Sequence, residues 1–289
     1  MASTCARKEG VNKRSKSKLE KYRMVSLPFL ITLDSKVSTE NFIAQLRNSI
    51  NKDILIMKLK GAKVLVTGGS SGIGKATAEL LIQEGAEVLI TGRDEQKLKS
   101  AAKEIGAVPV HADVSTDEGV ERAYDAVGER LNGLDILVNN AGIGSRKPVD
   151  ELTRKDFQEV FDVNVFGAAM MAAKASAIFK KQKHGNIINV GSTASLKGYP
   201  TGSVYTASKF GLRAMSQCWQ AELRPYNVRV LHINPSEVTT AFGQESRRER
   251  PEEPQKLTAV EIAHAILSAL KMDNRGFIPE LTVWATNPF

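Results

Sequence analysis

Six short runs of Val, Ile and Leu, each followed by a longer amphipathic stretch, leave this chain few folds to choose from. The runs lie at 63–67, 87–91, 108–112, 136–139, 186–190 and 229–233. None alternates strictly between apolar and polar residues, as a sheet with one wet face would. Near-continuous apolar runs belong to parallel strands covered on both sides. The stretches at about 73–84, 95–105, 116–131, 153–181, 203–224 and 258–271 carry helical periodicity, and a last strand is expected near 278–284. Repeated β-α units of this kind predict an α/β fold, a doubly wound parallel sheet with helices on both faces and right-handed crossovers. Ligands of such sheets sit beyond the carboxyl ends of the strands.

The first run leads into VLVTGGSSGIGKATAELL, a strand, a glycine turn and the start of a helix. Gly68, Gly72 and Gly74 allow a tight turn whose backbone N–H groups, at the positive end of a helix, can receive a pyrophosphate. Residues 69–75 also fit GxxxxGK, the core of a triphosphate-binding loop, but Ala76 stands where that motif needs Ser or Thr to hold magnesium. A glycine turn without a ligand is the plainer alternative. The second run ends VLITGRD. A carboxylate there suits the ribose 2′-hydroxyl of NAD(H), and an arginine the 2′-phosphate of NADP(H). Thr91 and Gly92 are uncharged and Arg93 is placed to reach a phosphate, which favours NADP(H) over NAD(H). Asp94 is either a competing carboxylate or the N-cap of the next helix.

Residues 191–209 read GSTASLKGYPTGSVYTASK, with Tyr205 four positions before Lys209. On a helix that spacing puts both on one face. A free tyrosine is a poor base at neutral pH, and a neighbouring ammonium is expected to lower its pKa. Tyr205 is then a general acid in carbonyl reduction and a general base in alcohol oxidation. A hydroxyl must also hold the substrate oxygen. Ser192 directly follows the fifth run, whereas Ser195, Tyr199 and Ser203 are expected to shape the cavity and Ser208 to face packing or solvent. Taken alone, a Tyr–Lys pair is an ordinary exposed helix pair.

The net charge of +8 invites a nucleic-acid reading, but residues 1–25 hold eight Lys/Arg against two Glu, and residues 26–56 balance. A basic tail on a near-neutral body gives no basic stripe for nucleic acid. Residues 1–56 are expected to be a disordered extension, with one short helix over 38–50, or alternatively an organelle-targeting segment. Residues 57–289 then form a single domain. No apolar run is long enough for a membrane span. Cys5 and Cys218 make no disulfide framework and the four histidines have no zinc-ligand spacing, so no metal and a reducing, cytoplasmic setting are expected.

Taken together, Gly68-x3-Gly72-x-Gly74, the NNAG at 139–142, a serine before Tyr-x3-Lys and a proline after the sixth strand resemble the short-chain dehydrogenase/reductase family. The resemblance runs from about Lys58 to the C-terminus. It implies a Rossmann-type sheet in the order 3-2-1-4-5-6-7, hydride transfer between a nicotinamide and a carbonyl or alcohol, and a tetrad of Asn164, Ser192, Tyr205 and Lys209. It implies that Lys209 also bonds the nicotinamide ribose and that Asn164 supports a water chain from Lys209 to solvent. Asp113 would contact adenine, Asn139 steady the central strand, and Ala141 and Gly142 line the cofactor. Val238 and Thr240 would meet the carboxamide. Ser70, Ser71, Ile73, Val114, Asn140 and Pro235 complete the implied cofactor contacts. Within the family the look is closest to 3-oxoacyl-(acyl-carrier-protein) reductases. A small carbonyl or alcohol substrate, carrier-linked ones included, is therefore implied, as is a homodimer or homotetramer built on 153–181 and 203–224. A dinucleotide-binding sensor or scaffold with little catalysis is the second reading, which an intact tetrad argues against.

The chain departs from the family at NPSEVTT, where Ser236 stands in place of the usual glycine. Serine suits that position if its φ stays negative. Residues 243–256 then carry eight charges in fourteen positions, read either as a solvated loop or as a lid over the substrate. The triplet Arg247, Arg248 and Arg250 would attract an anionic substrate or carrier.

Overall fold

A computed structural model describes residues 59–242 and 250–287. The segment 1–56, its expected helix over 38–50 and residues 243–249 lie outside them. Along the chain run β1 (Lys63–Val66), α1 (Gly72–Gln83), β2 (Glu87–Gly92), α2 (Glu95–Ile105), β3 (Val108–His111), α3 (Asp117–Ala126) and β4 (Ile136–Asn139). There follow α4 (Arg154–Phe161), α5 (Ala168–Gln182), β5 (Gly185–Val190), α6 (Ser203–Leu223), β6 (Val228–Pro235), α7 (Ala259–Leu270) and β7 (Glu280–Val283). The strands form one parallel sheet in the order β3-β2-β1-β4-β5-β6-β7, as expected.

The apolar runs are continuous because each strand feeds two cores. Val64 and Val66 of β1, Ile136 and Val138 of β4, and Leu231 and Ile233 of β6 pack with α1, α2 and α7. Leu65, Leu137 and Val230 from the same strands pack with α3 and α5 on the other face. The period of two persists, with both phases apolar. All nine side chains are fully buried, each contributing about 1.5–3 kcal/mol. At the lower end of the sheet, the buried Arg229 donates to Asn186 Oδ1 at 2.7 Å and to the carbonyls of Leu270 and Met272 at 3.0 and 3.1 Å. It closes the C-terminus of α7, whose last carbonyls have no helical partner.

Two of the expected helices are interrupted. The stretch 116–131 ends as a helix at Ala126 and closes through a wide π-helical turn, Val127–Leu131. The stretch 153–181 is not one helix: α4 stops at Phe161, a π-helical turn spans Asp162–Gly167, and α5 resumes at Ala168. Such turns insert a residue and rotate the side chains of the next segment to a new face. Here a Cβ on Gly167 would lie 2.6 Å from the Val114 carbonyl oxygen, so the turn presses its backbone against the loop after β3. The same turn aims Asn164 inward, 1% exposed.

Candidate active site

The residues singled out for chemistry lie at or just beyond the carboxyl ends of strands, except Asn164 in the π-helical turn and Tyr205 and Lys209 on α6. After β1 the chain turns through Gly68, in the left-handed region at φ 65°. A Cβ on Gly74 would fall 2.4 Å from both Asn140 Nδ2 and the Gly68 carbonyl, so α1 starts flush against that turn. Asn140, beyond β4, donates to the carbonyls of Thr67 and Gly68 at 2.9 and 3.0 Å. The Thr67 hydroxyl accepts from the N–H groups of Asn140 and Ala141, both at 3.0 Å. The NNAG segment thus locks the glycine turn. Ser71, at the N-cap of α1, makes no side-chain cap, which leaves the helix end to other partners. Ile73 packs on the core beneath. Thr240, beyond β6, approaches to where a Cβ on Gly72 would meet it at 3.3 Å. This cradle, shaped by what a Cβ would fill and topped by a helix N-terminus, fits a dinucleotide pyrophosphate. A triphosphate loop fits less well, because Lys75 turns away to pair with Glu104 at 2.6 Å.

At the end of β2, Asp94 accepts from the Lys97 N–H at 2.9 Å and is the N-cap of α2. The N-cap, one of its two readings, is the role it takes in the structure. Arg93 keeps a half-exposed guanidinium 3.9 Å from Asp113 Oδ2. Ser70 Oγ lies 3.5 Å from where a Cβ on Gly92 would stand, which puts Ser70 against the end of β2. Asp113 Oδ1 accepts from the N–H and hydroxyl of Ser115 at 3.0 and 2.7 Å, which holds the loop after β3 with Val114 buried next to it. Asn139 donates to the Ala168 carbonyl and to Asn189 Oδ1, each at 3.0 Å, tying β4 to α5 and β5.

Asn164 Oδ1 accepts from the Ile143 N–H at 2.9 Å, while its Nδ2 donates to the Ile143 carbonyl at 2.9 Å and to Ser208 Oγ at 3.0 Å. Ser208 in turn donates to the Tyr205 carbonyl at 2.7 Å. Ser208 is therefore fully buried between Asn164 and α6, packing as expected and bonded to Asn164. A Cβ on Gly142 would lie 3.3 Å from Asn164 Oδ1 and 3.7 Å from Lys209 Nζ, so the backbone of Gly142 separates the two.

Ser192 follows β5 in extended conformation, and its hydroxyl accepts from the Ala194 N–H at 3.1 Å. Its side chain faces the Tyr205 phenol closely enough to act on that group's acidity. Lys209 Nζ lies 5.8 Å from the Tyr205 ring centroid and donates to the Val190 carbonyl at 2.8 Å. The structure brings Ser192, Tyr205 and Lys209 together as the spacing required. The expected depression of the tyrosine is not found. Burial pushes the Tyr205 phenol up to about 12, against the lowering effect of Ser192, and nearby Tyr199 adds to the rise. Burial also brings the Lys209 ammonium down to about 8. Desolvation outweighs the ammonium at this distance because both groups are nearly water-free. Tyr199, half-buried, carries Arg146 over its ring at 5.5 Å, and Phe242, 45% exposed, packs 5.6 Å from the Tyr205 ring. Ser203, expected to shape the cavity, is exposed at the start of α6.

The loop after β6 holds a negative φ at Ser236, which is absent from the left-handed residues, and its N–H donates to the Val283 carbonyl at 2.9 Å. The glycine is therefore dispensable here. Arg250 donates to the carbonyls of Val238 and Thr240 at 2.6 and 3.3 Å and pairs with Glu237 at 3.1 Å. It is a clamp on the loop carrying Pro235, Val238 and Thr240, not a free cation for an anionic substrate; Arg247 and Arg248 lie outside the described residues. Thr67, Ser208 and Arg250 carry no sequence signal for these roles, because a hydroxyl or guanidinium bonded to backbone carbonyls leaves no spacing signature. His232 does leave one, a polar residue in the middle of the apolar β6 run. Among the described residues there is no metal-competent cluster and no helix long and apolar enough to cross a membrane.

The family model described as short chain dehydrogenase matches residues 62–251. An uncharacterized oxidoreductase of Staphylococcus epidermidis is 32% identical over 228 residues, covering 78% of this chain and 98% of that protein. Among solved structures, an alcohol dehydrogenase from Thermococcus sibiricus complexed with 5-hydroxy-NADP aligns with a TM-score of 0.70 at 29% identity, over 78% of this chain and 97% of the other. A 3-ketoacyl-(acyl-carrier-protein) reductase from Brucella melitensis complexed with NADH aligns with a TM-score of 0.72 at 28% identity, over 80% and 100%.

Proposed function

The chain belongs to the short-chain dehydrogenase family and is an oxidoreductase, and from that premise we propose that it interconverts a carbonyl and an alcohol with NADP(H) as its preferred cofactor. The observation that carries this reading is the meeting of three groups at the carboxyl end of β5: the Lys209 ammonium lies 5.8 Å from the Tyr205 ring and is anchored on the Val190 carbonyl, and Ser192 faces the same phenol. A nicotinamide held in this cradle would supply or accept the hydride. Tyr205 gives its phenolic proton to the substrate oxygen in reduction and takes it back in oxidation. Ser192 holds that oxygen by a hydrogen bond that strengthens as negative charge develops. A phenol near 12 is a competent acid; to act as a base it needs further positive charge close by, which Lys209 and an oxidised nicotinamide together provide. Lys209 is assigned the ribose hydroxyls as well, and Asn164 the support of a proton path from Lys209 outward.

The partly exposed Arg93 guanidinium just beyond β2, with Asp94 serving as the α2 cap and Ser70 against the end of the same strand, supports the 2′-phosphate assignment. The relatives include one structure with an NADP derivative and one with NADH, so the choice falls on these residues. A 3-oxoacyl substrate is favoured by the Brucella likeness, and Phe242 and Tyr199 give the entrance an aromatic wall that suits an apolar substrate body. The exposed Phe157, Phe166, Met170 and Phe210, on α4 to α6, support self-association through that face. A panel of β-ketoacyl, diketone, sterol and sugar substrates assayed with NADPH and NADH tests the reading. Loss of ketone reduction in Tyr205→Phe is the expected result; unchanged reduction in that variant refutes the tetrad assignment.

A further inference from the structure

A chain of hydrogen bonds runs through the buried middle of the sheet and ends on the backbone of Ser192. Asn139 Nδ2 donates to Asn189 Oδ1 at 3.0 Å, and Asn189 Nδ2 donates to Ser216 Oγ at 2.8 Å. Ser216 Oγ lies 3.1 Å from His232 Nδ1, and His232 Nε2 lies 3.3 Å from Ser195 Oγ. Ser195 Oγ accepts from the Ser192 N–H at 3.2 Å. Asn189, Ser195, Ser216 and His232 are at most 1% exposed. Polar side chains so placed cost several kcal/mol unless each finds its partner.

The partners fix the direction of the protons. Ser216 donates its one hydroxyl proton to the Leu212 carbonyl at 2.7 Å and accepts from Asn189, so His232 Nδ1 must carry the proton it offers to Ser216. Nε2 is then a lone pair, and Ser195 donates to it. That leaves the Ser195 oxygen lone pairs aimed at the Ser192 N–H. The opposite tautomer would satisfy Asn234 Oδ1, which has no donor, but would leave Ser216 with two acceptors for one proton. Burial, with Lys209 and Arg213 of α6 adding positive charge, brings the imidazole down to about 3, so it stays neutral at working pH. Gly191 is what admits it: a Cβ there would lie 2.3 Å from His232 Nε2.

We propose that Ser195 and His232 are positioning residues for Ser192. His232, held by Ser216 from α6, orients the Ser195 oxygen against the Ser192 N–H and fixes the strand-to-turn corner from which the Ser192 hydroxyl projects. This rests on the catalytic role of Ser192 given above. The Ser195 N–H closes the same corner from the other side, donating to the Ser192 carbonyl at 2.8 Å. With the link broken, the corner relaxes and Ser192 meets the substrate oxygen and Tyr205 less often in register.

The test uses NADPH with ethyl acetoacetate and diacetyl. Ser195→Ala, and His232→Asn, which keeps a donor for Ser216 but is too short to reach Ser195, are expected to lower kcat on the order of tenfold, with NADPH affinity by fluorescence unchanged. His232→Gln, whose amide reaches Ser195, restores most of kcat. The Ser195→Ala/His232→Asn double variant is no slower than the worse single, because both break one link. Independently of turnover, nitrogen NMR of the wild-type protein reads His232 as neutral and protonated at Nδ1, with Nε2 shifting in Ser195→Ala. Unchanged kcat in folded Ser195→Ala, losses that multiply in the double variant, or an imidazole protonated at Nε2 overturns the proposal. Tyr205→Phe, run alongside, separates the two ideas: retained ketone reduction there refutes the catalytic reading, while the imidazole NMR still decides the hydrogen-bond chain.

Discussion

Replacing Lys209 with Met removes an ammonium that the fold buries without a carboxylate. Among the described residues its hydrogen bond is to the Val190 carbonyl, and it is 3% exposed. Burial brings its pKa from 10.5 to about 8, which at ~1.4 kcal/mol per pH unit is about 3 kcal/mol of destabilisation in the charged form. The lost hydrogen bond returns about 1 kcal/mol of that, so Lys209→Met gains about 2 kcal/mol at neutral pH, or ~4–8 °C in Tm for a domain of this size. The sign comes from linkage. Between about 8 and 10.5 the unfolded chain binds the proton that the folded one has released, so wild-type stability rises with pH across that window. The advantage of Lys209→Met is therefore full below about 8 and gone near 10.5. Urea unfolding of both proteins at a series of pH values measures the difference, in which unaltered groups cancel. A variant no more stable than wild type at neutral pH, or a gap that does not close on raising the pH, refutes the reasoning. The same variant is expected to lose NADPH-dependent reduction, stability and activity moving in opposite directions.

Arg93→Ala is expected to raise the KM for NADPH on the order of tenfold, as the loss of a charge-assisted phosphate contact does, and to leave NADH nearly unaffected; equal effects on both would remove Arg93 from the 2′-phosphate site. Arg250→Ala frees the Val238 and Thr240 carbonyls from their clamp, so NADPH binding weakens in fluorescence titration and limited proteolysis in the β6–α7 connection accelerates. Unchanged affinity and cleavage would show the clamp to be idle. Arg229→Ala strips partners from Asn186 and from the carbonyls ending α7, a loss of about 3 kcal/mol readable as a lower urea midpoint with kcat intact.

The sheet was legible because burial on two faces writes itself as apolar runs, and six of the seven strands fall within a residue or two of where those runs lie. The meeting of Ser192, Tyr205 and Lys209 was legible for a different reason: Tyr205 and Lys209 obey helix spacing, and Ser192 abuts a strand end. What stayed hidden depends on three-dimensional adjacency. The π-helical turn at Asp162–Gly167 breaks no pattern that periodicity detects, yet it alone converts Asn164 from a helix-surface residue into one buried against Ile143 and Ser208. The acidity of Tyr205 is hidden as well, because spacing reports that Lys209 is near but not that both are dry. Arg250 lies amid charged neighbours, and nothing in the sequence says that its guanidinium turns inward to carbonyls.

The Asn140 amide, bridging the Thr67 and Gly68 carbonyls, gives the glycine turn its shape before any dinucleotide arrives. Ordering a loop at the moment of binding would cost roughly 1–2 kcal/mol per residue in backbone freedom; here that loss belongs to folding. Cofactor capture should consequently obey a single exponential whose rate stays linear in dinucleotide concentration, with no saturating isomerisation step. Loosening Asn140 would then appear first as curvature in that plot, before it appears as a weaker equilibrium affinity.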